Sequence, residues 1–231
     1  MPPDTIQAKG AVQWALQVNE TGITVLNDGS SYSVGLAKTF YQAAKPYRGL
    51  AGKSITIAPP ALDNLLGQVG NSAIFYAPST VANAVAVAKG LQGSTSTVFA
   101  TDTALDSQFG DEVAPFSGDW RIVSNSADYS DLPAYSAFAQ QFQGAYGVKP
   151  SQFAANAYDA TNLILDNVAK TGNDRAAITS GVLGTQDYRG ATGLISFDPP
   201  TGERTSWRAT GYRLVNDEFQ PVSTLSGTTA P

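Results

Sequence analysis

From Ile23 to Asp102 the sequence switches repeatedly between two hydrophobic periods, and this alternation constrains the fold more than any other feature. Ile23, Val25 and Leu26 form a short β-branched and apolar run that predicts a buried strand. Asn27-Asp28-Gly29-Ser30-Ser31 is a cluster of turn formers that ends it. From Tyr32 onward, Val34, Ala37, Phe40, Tyr41 and Ala44 recur at helical spacing on one side. Ser54–Ala58 then alternates like a strand and is closed by Pro59-Pro60, and Leu62–Val69 has the i, i+3, i+4, i+7 spacing of a short helix. Ala73–Ala77 predicts a third strand. Thr80–Gln92 predicts a helix with Thr80 as its N-cap, and Thr97–Thr101 a fourth strand leading into Asp102. The resulting β-α-β-α-β-α-β order predicts a parallel sheet covered by helices on both faces, with right-handed crossovers. In open α/β sheets ligands bind at the loops leaving the carboxyl ends of the strands.

The flanking segments are less regular. Thr5–Gln17 shows a loose helical period around Ile6, Gly10 and Trp14, and Trp120–Ser124 reads as a strand. Three helix candidates follow over Pro133–Tyr146, Gln152–Thr171 and Asp174–Leu183. In the second, Phe153, Ala157, Ala160, Ile164, Leu165 and Val168 form the expected apolar stripe; Tyr158 and Asp159 are expected in helix packing and at the surface. Gly190–Asp198 and Trp207–Val215 read as late strands flanking a Pro-Pro-Thr-Gly turn, and a hinge is expected near residues 118–130. A frayed, polar tail is expected from Ser223.

The chain of 231 residues has ample length for a sizeable core. It contains neither Cys nor His, which removes catalytic thiols, Ser-His-Asp triads and every metal site built on those residues. A net charge of −5 with no Lys/Arg run disfavours a nucleic-acid partner. Charged residues are 14% of the chain, below the roughly 25% usual in soluble domains, so Ser, Thr, Asn and Gln carry the polar surface. The start, MPPDTIQAKG, lacks the basic and apolar regions of a signal peptide.

Five segments in order resemble the type I periplasmic solute-binding proteins, the branched-chain amino-acid-binding family and its receptor relatives. They are DTIQAKGAVQWAL, ITVLNDGSSYSVGLAKTF, YSDLPAYSAFAQQFQGAYGVKP, FAANAYDATNLILDNVAKTG and YRGATGLISFDPPTG. In the second of these, Ser33 stands where the family pattern usually has Gly. The resemblance implies a three-layer, Rossmann-like parallel-sheet lobe with additional helices belonging to an incomplete first lobe. Residues 1–118 and 205–222 would form the second lobe, 119–204 the hinge and first-lobe helices, and 223–231 a flexible tail. The family's N-terminal first-lobe segment is expected to be missing from this chain. Residues 133–183 would then need covering by that segment or by a second copy.

The same resemblance implies a non-enzymatic, extracytoplasmic protein that needs no cofactor. It would bind a small polar ligand, an amino acid or related amine, by lobe closure, and present it to a membrane permease or receptor. Ligand contacts are expected from Tyr32 and Ser31, from the Ser79 hydroxyl, and from Asp102, whose carboxylate would face the ligand ammonium, with Thr103 as the alternative one position on. A desolvated, charge-assisted pair would suit that role. Asp28 is expected as a turn or capping residue, and Ser79 and Thr80 compete as N-caps.

Two other classes remain open at this point. One is a sensor or interaction domain serving a protein partner; the other is a Rossmann-like nucleotide enzyme, for which Asn27–Ser31 is poor in glycine. Gly52-Lys53-Ser54 ends like a phosphate loop, but Tyr47 occupies its first glycine position. Asn19-Glu20-Thr21 is a sequon, a pattern common by chance. The acidic pairs Asp102/Asp106 and Asp111/Glu112 are expected as solvated loop carboxylates.

Overall fold

The structure is a computed structural model that describes residues 3–59, 62–151 and 153–228. In chain order its helices are α1 (Thr5–Gln17), α2 (Ser31–Ala44), α3 (Leu65–Val69), α4 (Val81–Gly90), α5 (Ser107–Val113), α6 (Pro133–Tyr146), α7 (Ala154–Thr171) and α8 (Arg175–Leu183). The strands are β1 (Ile23–Asn27), β2 (Ala51–Thr56), β3 (Ile74–Tyr76), β4 (Thr97–Thr101), β5 (Asp119–Ser124), β6 (Tyr188–Gly190), β7 (Gly193–Ile195), β8 (Phe197–Asp198), β9 (Glu203–Arg204), β10 (Ser206–Val215) and β11 (Glu218–Thr228). Pro60, the start of the predicted helix at Gln152 and the last three residues of the predicted tail lie outside the described residues.

Two compact units divide the chain. Of the described residues, one comprises those within 4–125 and 210–223; the other holds Pro3 with those within 126–209 and 224–228. The larger unit is built on a sheet in the order β11-β10-β5-β4-β3-β1-β2. From β2 to β5 every pairing is parallel, and β10 joins β5 antiparallel with Tyr212 opposite Ile122. β1, β3 and β4 are buried on both faces, which is why they read as largely apolar runs without alternation, interrupted only by the buried polar side chains Thr24, Asn27 and Thr101 and by half-buried Thr97, whereas the edge strand β2 is mostly exposed.

The core lies on both sides of this sheet. On one side Leu26, Ile74, Tyr76, Val98, Ile122 and Trp120 pack with Val85, Ala88 and Leu91 around α4, and with Phe109 from α5. On the other, α1 and α2 lie on the sheet, with Phe40 of α2 stacked on Phe75 of β3 at a centroid distance of 4.4 Å. Arg121 of β5 is buried: its guanidinium donates twice to Asp119 and covers the Trp14 ring of α1.

Several expectations shift. β2 is Ala51–Thr56, ahead of the predicted Ser54–Ala58, because Gly52 allows close approach to the Gly22 carbonyl, which a Cβ would meet at 2.7 Å. Gly52-Lys53-Ser54 therefore lies inside a strand rather than in a strand-to-helix loop. Helix α5, capped by the Asp106 carboxylate on the Gln108 N–H, was not predicted. Past Ser223, where the sequence suggests a tail, the backbone continues as β11; it is joined to β10 through Asn216 and Asp217, both at positive φ as in a tight hairpin turn.

In the second unit, α6, α7 and α8 accompany short hairpins. The single strand predicted over Gly190–Asp198 is broken into the end of β6, β7 and β8, with β7 antiparallel to β6 and β8 antiparallel to β9. Asp159 is not a surface residue: it is 2% exposed and accepts from the N–H of Ala191 (2.7 Å), the N–H of Thr192 (2.8 Å) and the Thr192 hydroxyl (2.6 Å), holding the β6–β7 turn. The buried line of α7 is Ala155, Asp159, Leu163 and Asn167, while Ile164 and Leu165 of the predicted apolar stripe are exposed.

Candidate functional site

Parallel β1, β3 and β4 send their carboxyl ends to one edge of the sheet, and the loops leaving that edge carry Asp28–Ser31, Pro78–Thr80 and Asp102–Thr103. The local chemistry of each loop follows from its residues. Ser30 caps α2 by accepting from the Ser33 N–H, and Thr80 caps α4 by accepting from the Asn83 N–H. Ser79 is thus released from capping. A 3₁₀ turn over Asp102–Leu105 follows β4 directly.

Two polar clusters form on this edge. In the first, the Gln7 amide of α1 bridges two predicted ligand residues: Nε2 donates to Asp102 Oδ2 at 2.6 Å, and Oε1 accepts from the Tyr32 hydroxyl at 3.0 Å. The Tyr32 hydroxyl also lies 3.3 Å from Thr101 Oγ1. Backbone N–H groups of Asn125 and Thr103 donate to Asp102. Asp102 is 8% exposed. Burial, with the Asp4 carboxylate adding to it, outweighs those donors and pushes the Asp102 carboxyl up to about 7. Burial, followed by the neighbouring Asp102, also raises the Tyr32 phenol above its usual range.

In the second cluster Asp28 is the hub. Its Oδ2 accepts from the Ser79 N–H (2.9 Å), the Ser79 hydroxyl (2.7 Å), Asn83 Nδ2 (3.0 Å) and the Tyr76 hydroxyl (3.3 Å), and its Oδ1 accepts from the Ser30 N–H (3.2 Å). Burial alone would raise this carboxyl, but hydrogen bonds from Ser30, Ser79 and Asn83 prevail and hold it well below the usual carboxylate range. The turn role expected of Asp28 is present, together with a cross-loop role that the sequence did not suggest.

The structure thus brings Tyr32 and Asp102 together through Gln7, and joins Ser79 to Asp28. Ser31, the first residue of α2, is exposed, and Thr103 is half-buried. Gln7, Thr101 and Asn83 were missed. Gln7 had a readable signal, being a glutamine on the same helix stripe as buried Ala8, Ala11, Val12 and Ala15. Among the described residues, no three acidic side chains gather closely enough to hold a metal ion.

No protein-family profile matches the chain, and no curated protein matches it in sequence. Solved structures do match. A leucine binding protein, LivK, from Thermotoga maritima superposes with a TM-score of 0.83 at 20% identity, covering 96% of this chain and 65% of its own. LivJ from Streptococcus pneumoniae in complex with isoleucine gives a TM-score of 0.74 at 19% identity, covering 96% and 64%. An ABC-transporter solute binding protein from R. palustris in complex with benzoate gives 0.79 at 14% identity, covering 98% and 64%. The chain spans about 65% of the length of these proteins. Its α/β architecture is that of the type I periplasmic binding proteins.

Proposed function

We propose that this chain is the solute-binding part of an ABC-type uptake system, a non-enzymatic, extracytoplasmic protein that takes up a small polar solute. The solute sits on the carboxyl edge of the parallel sheet, against Tyr32, Ser31, Ser79, Asp102 and Thr103. Closure about a hinge commits it, and the closed form is recognised by a membrane permease. An amino acid or related amine is the ligand class that the sequence resemblance implies. One observation carries the reading: three adjacent strands deliver their hydroxyl- and carboxyl-bearing loops to one edge, in a fold whose solved neighbours include a leucine binding protein and complexes with isoleucine and with benzoate. Isothermal titration against amino acids, their amides and small organic acids tests it. Saturable heat from at least one class is expected, and silence across all three counts against it.

A second reading, an interaction domain, is favoured by one further observation. Tyr146 (69% exposed) of α6, with Tyr158 (46%), Ile164 (48%) and Leu165 (56%) of α7, leaves apolar surface open to solvent. A further chain segment, a second copy or a receptor partner would cover it. Sedimentation of the wild type and of Leu165→Glu separates these cases. A larger species that the charge disperses supports coverage by a second copy, and a monomer in both variants removes it.

A further inference from the structure

Among the described residues the chain passes between the two units four times. Two passages, Ala209–Thr210 and Ser223–Thr224, lie inside the β10–β11 hairpin, whose strands run on through them without a break. The other two, Pro3–Asp4 and Asn125–Ser126, are single connections outside helices and strands. Backbone torsions at such connections are what absorb a hinge movement.

Side chains pin both single connections. Asn125 Nδ2 donates to Asp4 Oδ1 at 2.9 Å, so the residues with which the larger unit enters the two connections are bonded to each other. The Asn125 N–H donates to Asp102, which also receives Gln7 Nε2, and the Gln7 carbonyl receives the Tyr32 hydroxyl. Across the connection, within the smaller unit, Ser126 Oγ accepts from Asn156 Nδ2 at 3.2 Å, and Asn156 Oδ1 accepts from the Tyr129 hydroxyl at 3.3 Å. Each end of the Asn125–Ser126 peptide is thus held by its own unit. Since the peptide itself is planar, the ψ of Asn125 and the φ of Ser126 are the torsions left between them.

One unbroken line of hydrogen bonds therefore runs from the candidate solute edge to the connections: Tyr32, Gln7, Asp102, Asn125, Asp4. We infer that this line is a clasp on the hinge, in which Asp102 is a positioning residue: through Asn125 and Asp4 it sets how far the two single connections let the units turn. A solute that rests on Asp102 acts on the hinge through the same bonds. Only this last link rests on the solute-binding reading; the clasp itself operates with no solute present.

The test uses the full chain without solute. The protein has no cysteine, so Gln42→Cys in α2 and Gln143→Cys in α6, both exposed, place one spin label in each unit, and pulsed electron resonance reads the distribution of distances between them. Asp4 is exposed and makes no side-chain cap bond to α1, so Asp4→Ala removes the acceptor of Asn125 without opening the core. The fraction of molecules outside the parent distance peak is expected to rise about fivefold in Asp4→Ala, as the loss of one net hydrogen bond predicts. Asp102→Leu should match it, and Asp102→Asn, which keeps an oxygen for the Asn125 N–H, should stay close to the parent. Unchanged distributions in Asp4→Ala and Asp102→Leu overturn the clasp. A rise in Asp4→Ala alone, or an Asp102→Asn distribution as broad as that of Asp102→Leu, overturns the part given to Asp102. Phe75→Leu loosens the core of the same unit away from the clasp; an equal rise there marks general loosening and also overturns the inference. Should the distances change as expected while amino acids, amides and small acids give no heat on titration, the clasp stands and the solute-binding reading falls.

Discussion

The Ser79 hydroxyl donates to Asp28 Oδ2 at 2.7 Å, and the Ser79 backbone N–H donates to the same oxygen at 2.9 Å, so one side chain after β1 fixes the loop after β3. The bond spans two crossover connections and locks adjacent strand ends at the candidate site. Replacing Asp28 by Ala leaves the donors of Ser79, Asn83 and Ser30 without it, which predicts a loss of about 2–3 kcal/mol in urea unfolding. Because the folded carboxyl is held below its usual range, its contribution is present above the ordinary aspartate pKa and fades as pH falls through the folded value. Wild type and Asp28→Ala should therefore converge in stability in strong acid.

Asp102 has the opposite sign. Its folded pKa of about 7 lies above the unfolded value near 3.8, so between those limits the folded state binds more protons and stability falls as pH rises. Thermal melts of Asp102→Asn and wild type are predicted to diverge from pH 5 to pH 8, with the variant gaining relative stability as pH rises. The effect is at most about 4 kcal/mol, the free energy of keeping this carboxyl protonated up to neutral pH.

In the second unit, Asp159→Ala removes the acceptor for the N–H groups of Ala191 and Thr192. Local destabilisation of about 1–3 kcal/mol per stranded buried donor is expected. Hydrogen exchange at those two amides should speed up while the amides of β1, β3 and β4 keep their protection. Gly190→Ala is predicted to act at the same place, because its Cβ would meet the Asp159 carboxylate at 2.5 Å.

Phe75 is fully buried in β3 and stacked on Phe40. Phe75→Ala opens a cavity between the sheet and α2 and is predicted to cost about 3–5 kcal/mol in denaturant unfolding. Phe75→Leu, which keeps most of the volume, should cost less than half of that.

The elements themselves were legible because each is fixed by local pattern. α1, β4 and α6 begin and end where the sequence placed them, and Thr80 caps α4 as its hydroxyl predicts. β2 was misplaced because Gly52, which lets it approach Gly22, has no side chain to contribute to a periodicity. The face of α7 was misread because Ala157 and Ile164 outweigh Asp159 on any apolar scale, yet Asp159 is the residue buried, its charge met by three donors from the β6–β7 turn.

By itself, the sequence determined the α/β alternation, the strand ends that carry Tyr32, Ser79 and Asp102, and the absence of thiol and imidazole chemistry. Only the tertiary structure decided what those side chains hold. Gln7 reaches Asp102 across 95 positions of chain and Asp28 reaches Ser79 across 51, and hydrogen-bond partners so distant leave no period in the intervening residues. A carboxylate looks the same in a sequence whether it awaits a ligand or is already satisfied from within, because the difference lies in desolvation and in donors that folding alone brings to it.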